Sequence, residues 1–361
     1  MGELSITTAT ISDLSNVVKD YSVPSMQTDG ATGQDETEYS FPNWTKQFGY
    51  FNSVAELKSA LTMKAIWNVG KGYTTDPETQ VILDHISGGG KDTFLDVLLN
   101  LEIVKRIGGD SFAEIIKDDN GDLFNLKPLD TGSMKIIVDK KGIIKRYEQI
   151  NKTTNGTIKF KPEEIFHLSH NRIADQIHGI SDIDAIEKMV LADGESFEDI
   201  KKIMHRQAKP MIMFKLGTDD QTKINNFIAK MDKATNLGEN IYVPFDKDSI
   251  DFEVIQVDIS PNTLAWRTEL RNKFYRVVQL PQIIFGASGA TESGGKIEYL
   301  AHEQVFERDQ KGIEDQVWNQ LGLRINLNPP TTLLENLQQD EAKDANQGLE
   351  IQPQDLTAGK G

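Results

Sequence analysis

The chain has 361 residues, no cysteine, and 39 Lys and Arg against 55 Asp and Glu, a net charge of −16. Disulfides and thiolate metal sites are excluded, and no apolar run is long enough to span a membrane. The acidic balance argues against a surface that grips nucleic acid through a concentrated basic patch.

At 38% hydrophobic residues and a mean hydropathy of −0.42 the chain is lean for a compact monomeric enzyme. That suits an extended subunit whose remaining apolar surface is covered by neighbouring copies. The start, M-G-E-L-S-I-T-T, lacks a basic region followed by an apolar core, so no signal peptide is expected. Ile6 stands where myristoylation requires Ser or Thr. A soluble chain, cytosolic at synthesis, is the expectation.

Residues 1–50 are rich in Ser, Thr, Asp and Gly and predict an arm that orders only against a partner, with Phe41, Trp44 and Phe48 as anchors at its end. A helix follows over N-S-V-A-E-L-K-S-A-L-T-M-K-A-I-W, with Asn52 or Ser53 as N-cap. A second spans Thr93 to Ile107 and stops at Gly108-Gly109. From Ser111 to Leu168 the pattern turns to strands. M-K-I-I-V-D and I-I-K-R-Y-E-Q-I flank Lys140-Lys141-Gly142, and T-I-K-F follows Asn155-Gly156, which predicts a small antiparallel unit.

Ser181 then caps a long helix, acidic at its start and basic at its end as the macrodipole favours. Its apolar series is Ile183, Ile186, Val190, Phe197, Ile200 and Met204, with Asp193 the one polar member. Such a helix is long for one face of a small core and suits a seam between subunits. After Pro210 come a strand (K-P-M-I-M-F-K-L), a helix (T-D-D-Q-T-K-I-N-N-F-I-A-K-M-D-K) and more strand (N-I-Y-V-P-F, I-D-F-E-V-I-Q-V), an α+β insertion of roughly 50 residues. Ser260-Pro261 opens a further helix with Trp266, Leu270, Phe274 and Val277 on its stripe, and Pro281 ends it. A glycine-rich segment containing Gly286, Gly289, Gly294 and Gly295 precedes a helix over Ile297 to Leu321, where Gly312 is a possible bend. Beyond Asn326 the tail is polar, with a possible short helix over L-L-E-N-L-Q-Q-D-E-A-K-D-A.

Three Gly-Lys pairs invite a phosphate-loop reading, and each fails. The motif needs Gly five residues before the pair and Ser or Thr after it. His85 and Asp92 flank Gly90-Lys91, Ala290 and Ile297 flank Gly295-Lys296, and Ala65 and Gly72 flank Gly70-Lys71. His167, His170 and His178, with Glu163, Glu164 and Asp175 nearby, form the one candidate metal cluster. The bland alternative is a strand end whose polar side chains satisfy backbone groups, because His-x-x-His lacks the helical spacing that aligns two imidazoles. No nucleophile elbow is present. The residues therefore call for no metal, cofactor or catalytic centre.

From Phe94 to Leu323 the order of elements resembles the portal proteins of tailed double-stranded DNA viruses with the HK97-like capsid. F-K-P-E-E-I-F-H-L resembles that family's strand before its first stem helix, and H-G-I-S-D-I, with Gly179 and Ser181, its Gly-x-Ser entry. R-Q-A-K-P-M-I-M-F-K-L, with Ala208 and Pro210, resembles the exit towards the clip, and Q-L-P-Q-I-I-F-G the Val-Pro-x-x-Leu-x-Gly stretch. A single proline stands where the family doubles it, and the short C-terminal region argues against a large helical crown.

The resemblance implies an elongated, ring-forming α+β subunit: arm 1–50, wing 51–180, first stem helix 181–208, clip 209–259, second stem helix 260–280, tunnel loop 281–296, long wing or crown helix 297–325 and crown or tail 326–361. It implies a dodecameric channel at one capsid vertex for packaging and ejecting DNA, assembled in the host cytoplasm and resident in the virion. Its partners would be further copies of itself, double-stranded DNA, the terminase large subunit, the major capsid protein and scaffold, and a head-completion or adaptor protein. Gly286, Ser288, Gly289, Thr291, Glu292, Ser293, Gly294, Gly295 and Lys296 would project into the channel. Ile183, Ile186, Val190, Phe197, Ile200, Met204, Trp266, Leu270 and Phe274 would line the stem seams. Two readings of other classes compete: a metal-dependent hydrolase built on His167, His170 and His178, and a non-viral helical scaffold or adaptor.

Overall fold

A computed structural model describes residues 36–151, 153–154, 156–208, 211–216, 220–237, 250–255, 261–281 and 292–330. The chain is α+β and divides into two compact units, one of residues 187–276 and one built from the segments on either side of it.

The larger unit is layered. Helices α1 (Trp44–Ser53), α2 (Ala55–Val69), α3 (Pro77–Asp84) and α4 (Phe94–Gly108) precede two antiparallel sheets. One has the order β4 (Leu123–Leu129), β3 (Asp110–Lys117), β8 (Ile165–Ser169). The other has the order β1 (Thr37–Ser40), β5 (Met134–Val138), β6 (Ile144–Ile150), β7 (Thr157–Phe160). Strand β3 is covered on both faces, and its period of two decides what each face receives. Ala113 and Ile115 join Phe94, Val97, Leu98 and Leu101 of α4, together with Phe166 and Leu168 of β8. Phe112 points the other way, to Met134, Ile136, Val138, Tyr147 and Phe160 of the four-stranded sheet. Each large side chain so buried contributes about 1.5–3 kcal/mol.

Local signals placed several boundaries where the residue types demand. Thr93 and Asp96 form a reciprocal capping box at the start of α4, and Gly109 closes it at φ +88°. The β5–β6 and β6–β7 hairpins pair Met134 with Gln149 and Tyr147 with Phe160. The tail returns as β11 (Asn326–Leu327) against β2 (Tyr73–Thr74). Gly70 and Gly72 serve that return, since a side chain on Gly70, at φ +74°, would run into the Asn328 carbonyl.

Three expectations change. The folded part begins well before residue 51: β1 adds to β5 from Thr37 to Ser40, and Trp44 packs against Gly108 and Gly132, where a Cβ would collide with its ring. Asn52 and Ser53 do not cap a helix but end α1, and Val54, in extended conformation, separates it from α2. Helix α7 runs Pro261–Val278, where the sequence placed it. The last, α8, is Glu292–Leu321, five residues longer at its start than the hydrophobic pattern indicated.

The smaller unit holds most of α5 (Asp182–Ala208), then β9 (Met211–Leu216), α6 (Gln221–Leu237), β10 (Ile250–Ile255) and most of α7. Strands β9 and β10 pair antiparallel, Ile250 opposite Leu216 through Ile255 opposite Met211. The N-I-Y-V-P-F strand, the first 35 residues, Gly286 to Thr291 and the possible helix after residue 331 lie outside the described residues.

Candidate functional site

The entry to α5 explains the H-G-I-S motif in physical terms. Gly179 and Gly109 touch backbone to backbone: a Cβ on Gly179 would collide with the Gly109 carbonyl and lie 2.6 Å and 2.7 Å from the His170 carbonyl oxygen and nitrogen. The Gly179 amide donates to Asp110 Oδ2 at 2.7 Å, and the Ile180 amide to the His170 carbonyl at 2.8 Å. Ser181 then acts twice. Its Oγ accepts from the Ile183 amide at 3.0 Å, the N-cap bond, while its hydroxyl donates to the Ile107 carbonyl at the end of α4. The first turn of α5 is thereby bolted to the last turn of α4.

Asp110 also accepts from His167 Nε2 at 2.7 Å through Oδ1, and His167 Nδ1 accepts from the Tyr147 hydroxyl at 3.0 Å. The row ties β3, β8 and β6 together beneath the turn. Burial, then the Asp110 charge, pushes the Tyr147 phenol well above its usual range. Asp110, His167 and Tyr147 are all buried, so they serve as a satisfied core network.

Beside that turn lies a second network in which three cations meet three carboxylates. Arg106, 1% exposed, donates from Nε to Glu102 Oε1 at 3.0 Å, from Nη1 to Asp182 Oδ2 at 3.4 Å, and from Nη2 to Asp309. Lys105 lies 2.6 Å from Glu102 Oε2, and Lys64 lies 3.6 Å from Asp182. Asn68 donates to Glu102 at 2.8 Å and to Asp309 at 3.3 Å, and His170 Nε2 donates to Asp182 Oδ1 at 2.8 Å. Burial would raise the Glu102 carboxyl, but Lys105 and Arg106 outweigh it and hold the group at about 2. Burial, then the Arg106 charge, pulls Lys64 down. Helices α2, α4 and α8 and the first residue of α5 therefore converge on one buried, charge-balanced point.

The seam residues divide by exposure. Ile183, Ile186, Ile200, Leu270 and Phe274 are buried and Val190 is half-buried, whereas Phe197, Met204 and Trp266 are exposed at 50%, 58% and 51%. Asp193, the polar residue in the apolar series of α5, accepts from Arg267 of α7 at 3.1 Å and 3.4 Å, and that guanidinium lies 5.1 Å from the Phe197 ring centre. Both side chains are partly solvated, so a double-mutant cycle of Asp193→Ala and Arg267→Ala is expected to give a coupling of about 0.5–1 kcal/mol. A coupling indistinguishable from zero in chemical denaturation would remove the pair as a pin between the two helices.

Of the residues assigned to the tunnel loop, Gly286, Ser288, Gly289 and Thr291 fall outside the described residues, while Glu292, Ser293, Gly294, Gly295 and Lys296 form the first turns of α8. Two adjacent glycines there cost about 1 kcal/mol each relative to alanine. On the other side, Leu280 and Pro281 are buried, Gln279 adopts φ +62°, and its carbonyl meets His302 Nδ1 of α8 at 3.1 Å.

The histidines singled out by the sequence have three separate partners. His167 meets Asp110, His170 meets Asp182, and His178 stacks on Tyr39 at 3.8 Å. Among the described residues no group of His, Asp and Glu is placed to hold a metal, and none of the helices searched is long and apolar enough to cross a membrane. Sequence reading missed the ion network because only its i,i+3 and i,i+4 pairs, Glu102 with Lys105 and Arg106, carry a local signal.

No protein-family model and no curated protein matches this sequence. The fold does find relatives. A chain of the virion of a native gene transfer agent particle superposes with a TM-score of 0.65 at 14% identity, over 88% of this chain and 92% of its own. A chain from the neck of a native particle of that kind, computed with C12 symmetry, gives 0.65 at 13% identity over 90% and 94%. An HK97-family phage portal protein from Corynebacterium diphtheriae gives 0.50 at 14% identity over 79% and 96%. The architecture is that of the portal-type fold. This chain is similar to those proteins over 79–90% of its length.

Proposed function

We propose that this chain is a portal subunit: twelve copies close a ring at one capsid vertex, and double-stranded DNA passes through its centre during packaging and ejection. The observation that carries the reading is the likeness of fold across about nine-tenths of both this chain and a neck chain computed with C12 symmetry. In this reading the protein catalyses nothing itself. Residues 181–208 and 260–280 are the stem, 209–259 the clip that meets the terminase large subunit and later a head-completion or adaptor protein, and 51–180 the wing. The major capsid protein and scaffold surround it, and the virion is its final location. Exposed Phe197, Met204 and Trp266 would be covered by the neighbouring subunit.

Weak contact suits passage. DNA carries one charge per about 1.7 Å of axis, and a wall of fixed cations would trap it through counterion release. A small, glycine-rich segment can give way to moving DNA without holding it.

Electron microscopy of the purified chain tests the ring: twelve-fold particles with a central hole are expected, and a monomer or dimer in light scattering would overturn it. Deleting Ala287 to Thr291, which spares α8, is expected to leave rings intact while reducing packaged or retained DNA at least tenfold. Full heads and normal infectivity would remove the role given to the loop.

A further inference from the structure

The strongly acidic chain hides a basic sheet. Residues 134–161 contain eight Lys and Arg against two Asp and Glu, a net charge of +6 in a chain of −16. Tyr147 and Phe160 face the core, so their neighbours Arg146, Glu148 and Lys159 lie on the outer face. Lys140, Lys141, Lys159 and Lys161 are exposed along this face and its hairpin tip. The expectation of no concentrated basic surface, drawn from the net charge, therefore fails at this sheet.

This sheet already receives acidic chain. Strand β1 brings Glu38 to Lys135, and Glu36, the residue before it, reaches both Lys145 and Arg146, the latter at 2.7 Å. The hydrogen bonds from Arg146 and Lys145 hold the Glu36 carboxyl at about 2, so this contact is made by a full carboxylate. Even with Glu36 and Glu38 counted, the sheet keeps a net charge of +4. Residues 1–35, which run directly into Glu36, carry Glu3, Asp13, Asp20, Asp29 and Asp35 against Lys19, a net charge of −4.

We propose that the acidic N-terminal arm, residues 1–35 of the same chain, docks on the outer face of the sheet β1-β5-β6-β7, its carboxylates meeting Lys140, Lys141, Lys159 and Lys161. Tethering favours the arm over a nucleic acid. The segment runs into Glu36, which already pairs with Lys145 and Arg146 on this face. A tethered segment acts at an effective concentration in the millimolar range, where individually weak ion pairs suffice. The inference does not depend on the portal reading.

Zero-length carbodiimide cross-linking of the full chain, read by mass spectrometry, tests it. Cross-links are expected from Asp20, Asp29 and Asp35 to the four lysines, falling severalfold at about 1 M salt, where charges are screened within about 3 Å. In a mixture of isotopically light and heavy protein they should lie within one isotopic species. In the variant K140E/K141E/K159E the cross-links from the arm to the retained Lys161 should fall at least tenfold, while circular dichroism and melting temperature are kept. Absence of arm–sheet cross-links, equal cross-linking to Lys161 in the variant, or cross-links joining light to heavy chains would each overturn the proposal. So would lysine-dependent capture of a short DNA duplex by the full chain in preference to its own arm.

Discussion

Replacing Arg106 with leucine is expected to lower the free energy of unfolding by about 3–5 kcal/mol. The guanidinium is 1% exposed and faces Glu102, Asp182 and Asp309 at once. Leucine fills much of the volume but leaves three carboxylates with only Lys105 and Lys64 opposite them, two cations where there were three. An uncompensated buried charge costs more than the intact network contributes, which is why removal of one partner is severe.

Acid titration provides a second readout. Glu102 is held at about 2 against an ordinary 4.5, so between those values the unfolded chain binds more protons than the folded one. Its contribution is complete above about pH 4.5 and is lost as pH falls towards 2. His170 is lowered as well, by burial first and against the opposing bond to Asp182, so it begins to cost stability as pH drops below 6.5. In Arg106→Leu the Glu102 carboxyl loses half of its local positive charge and rises, and the slope between pH 4.5 and 2 should flatten. Urea unfolding at pH 7, 4.5 and 3 measures both effects. A variant within about 1 kcal/mol of the parent and with the same acid slope would show that the network is ornamental.

Gly179→Ala is expected to cost about 3 kcal/mol or more, at the upper end of overpacking, because every atom its methyl group meets is backbone. The Gly109 carbonyl cannot rotate away as a side chain could, and Gly109 is itself pinned at φ +88° as the C-cap of α4. Relief requires moving the Gly179 amide from Asp110 or the Ile180 amide from His170, either of which re-aims the first turn of α5. The control is Gly194→Ala in the same helix, where a Cβ meets nothing within 4 Å and the change should stabilise by up to about 1 kcal/mol. Thermal melts with sizing of the assembled protein separate the two. In the portal reading, Gly179→Ala should also yield incomplete rings, since a helix leaving its base at a new angle misplaces its outer apolar stripe. Equal melting temperatures for both variants would refute the close-contact account.

Much of the fold was legible wherever the deciding contacts are local. Thr93 and Asp96 sit three residues apart, Ser181 stands beside the first helical turn, and the β5–β6 and β6–β7 hairpins turn within a few residues, so capping and turn chemistry sufficed for all of them. The order of long helices around an α+β insertion was equally open to a reading by period alone. Strand β1 was not. T-E-Y-S is four residues of unremarkable composition, a strand only because β5 offers it an edge. The start of α8 was misjudged because Gly294 and Gly295 argue against helix locally.

By itself the sequence determined most of the long helices and the hairpins β5–β6 and β6–β7, which faces of the long helices are apolar, and that Ser181 caps a helix. Only the tertiary structure decided why the entry to that helix needs glycine, which carboxylate Arg106 shares with α8, and that Asp193 belongs to Arg267. These partners are separated by 69 residues for Gly179 and Asp110, 203 for Arg106 and Asp309 and 74 for Asp193 and Arg267. Hydrophobic period and cap residues act within one or two turns, whereas a buried charge is neutralised by whatever the chain brings back from afar, and that return is a property of the packed whole.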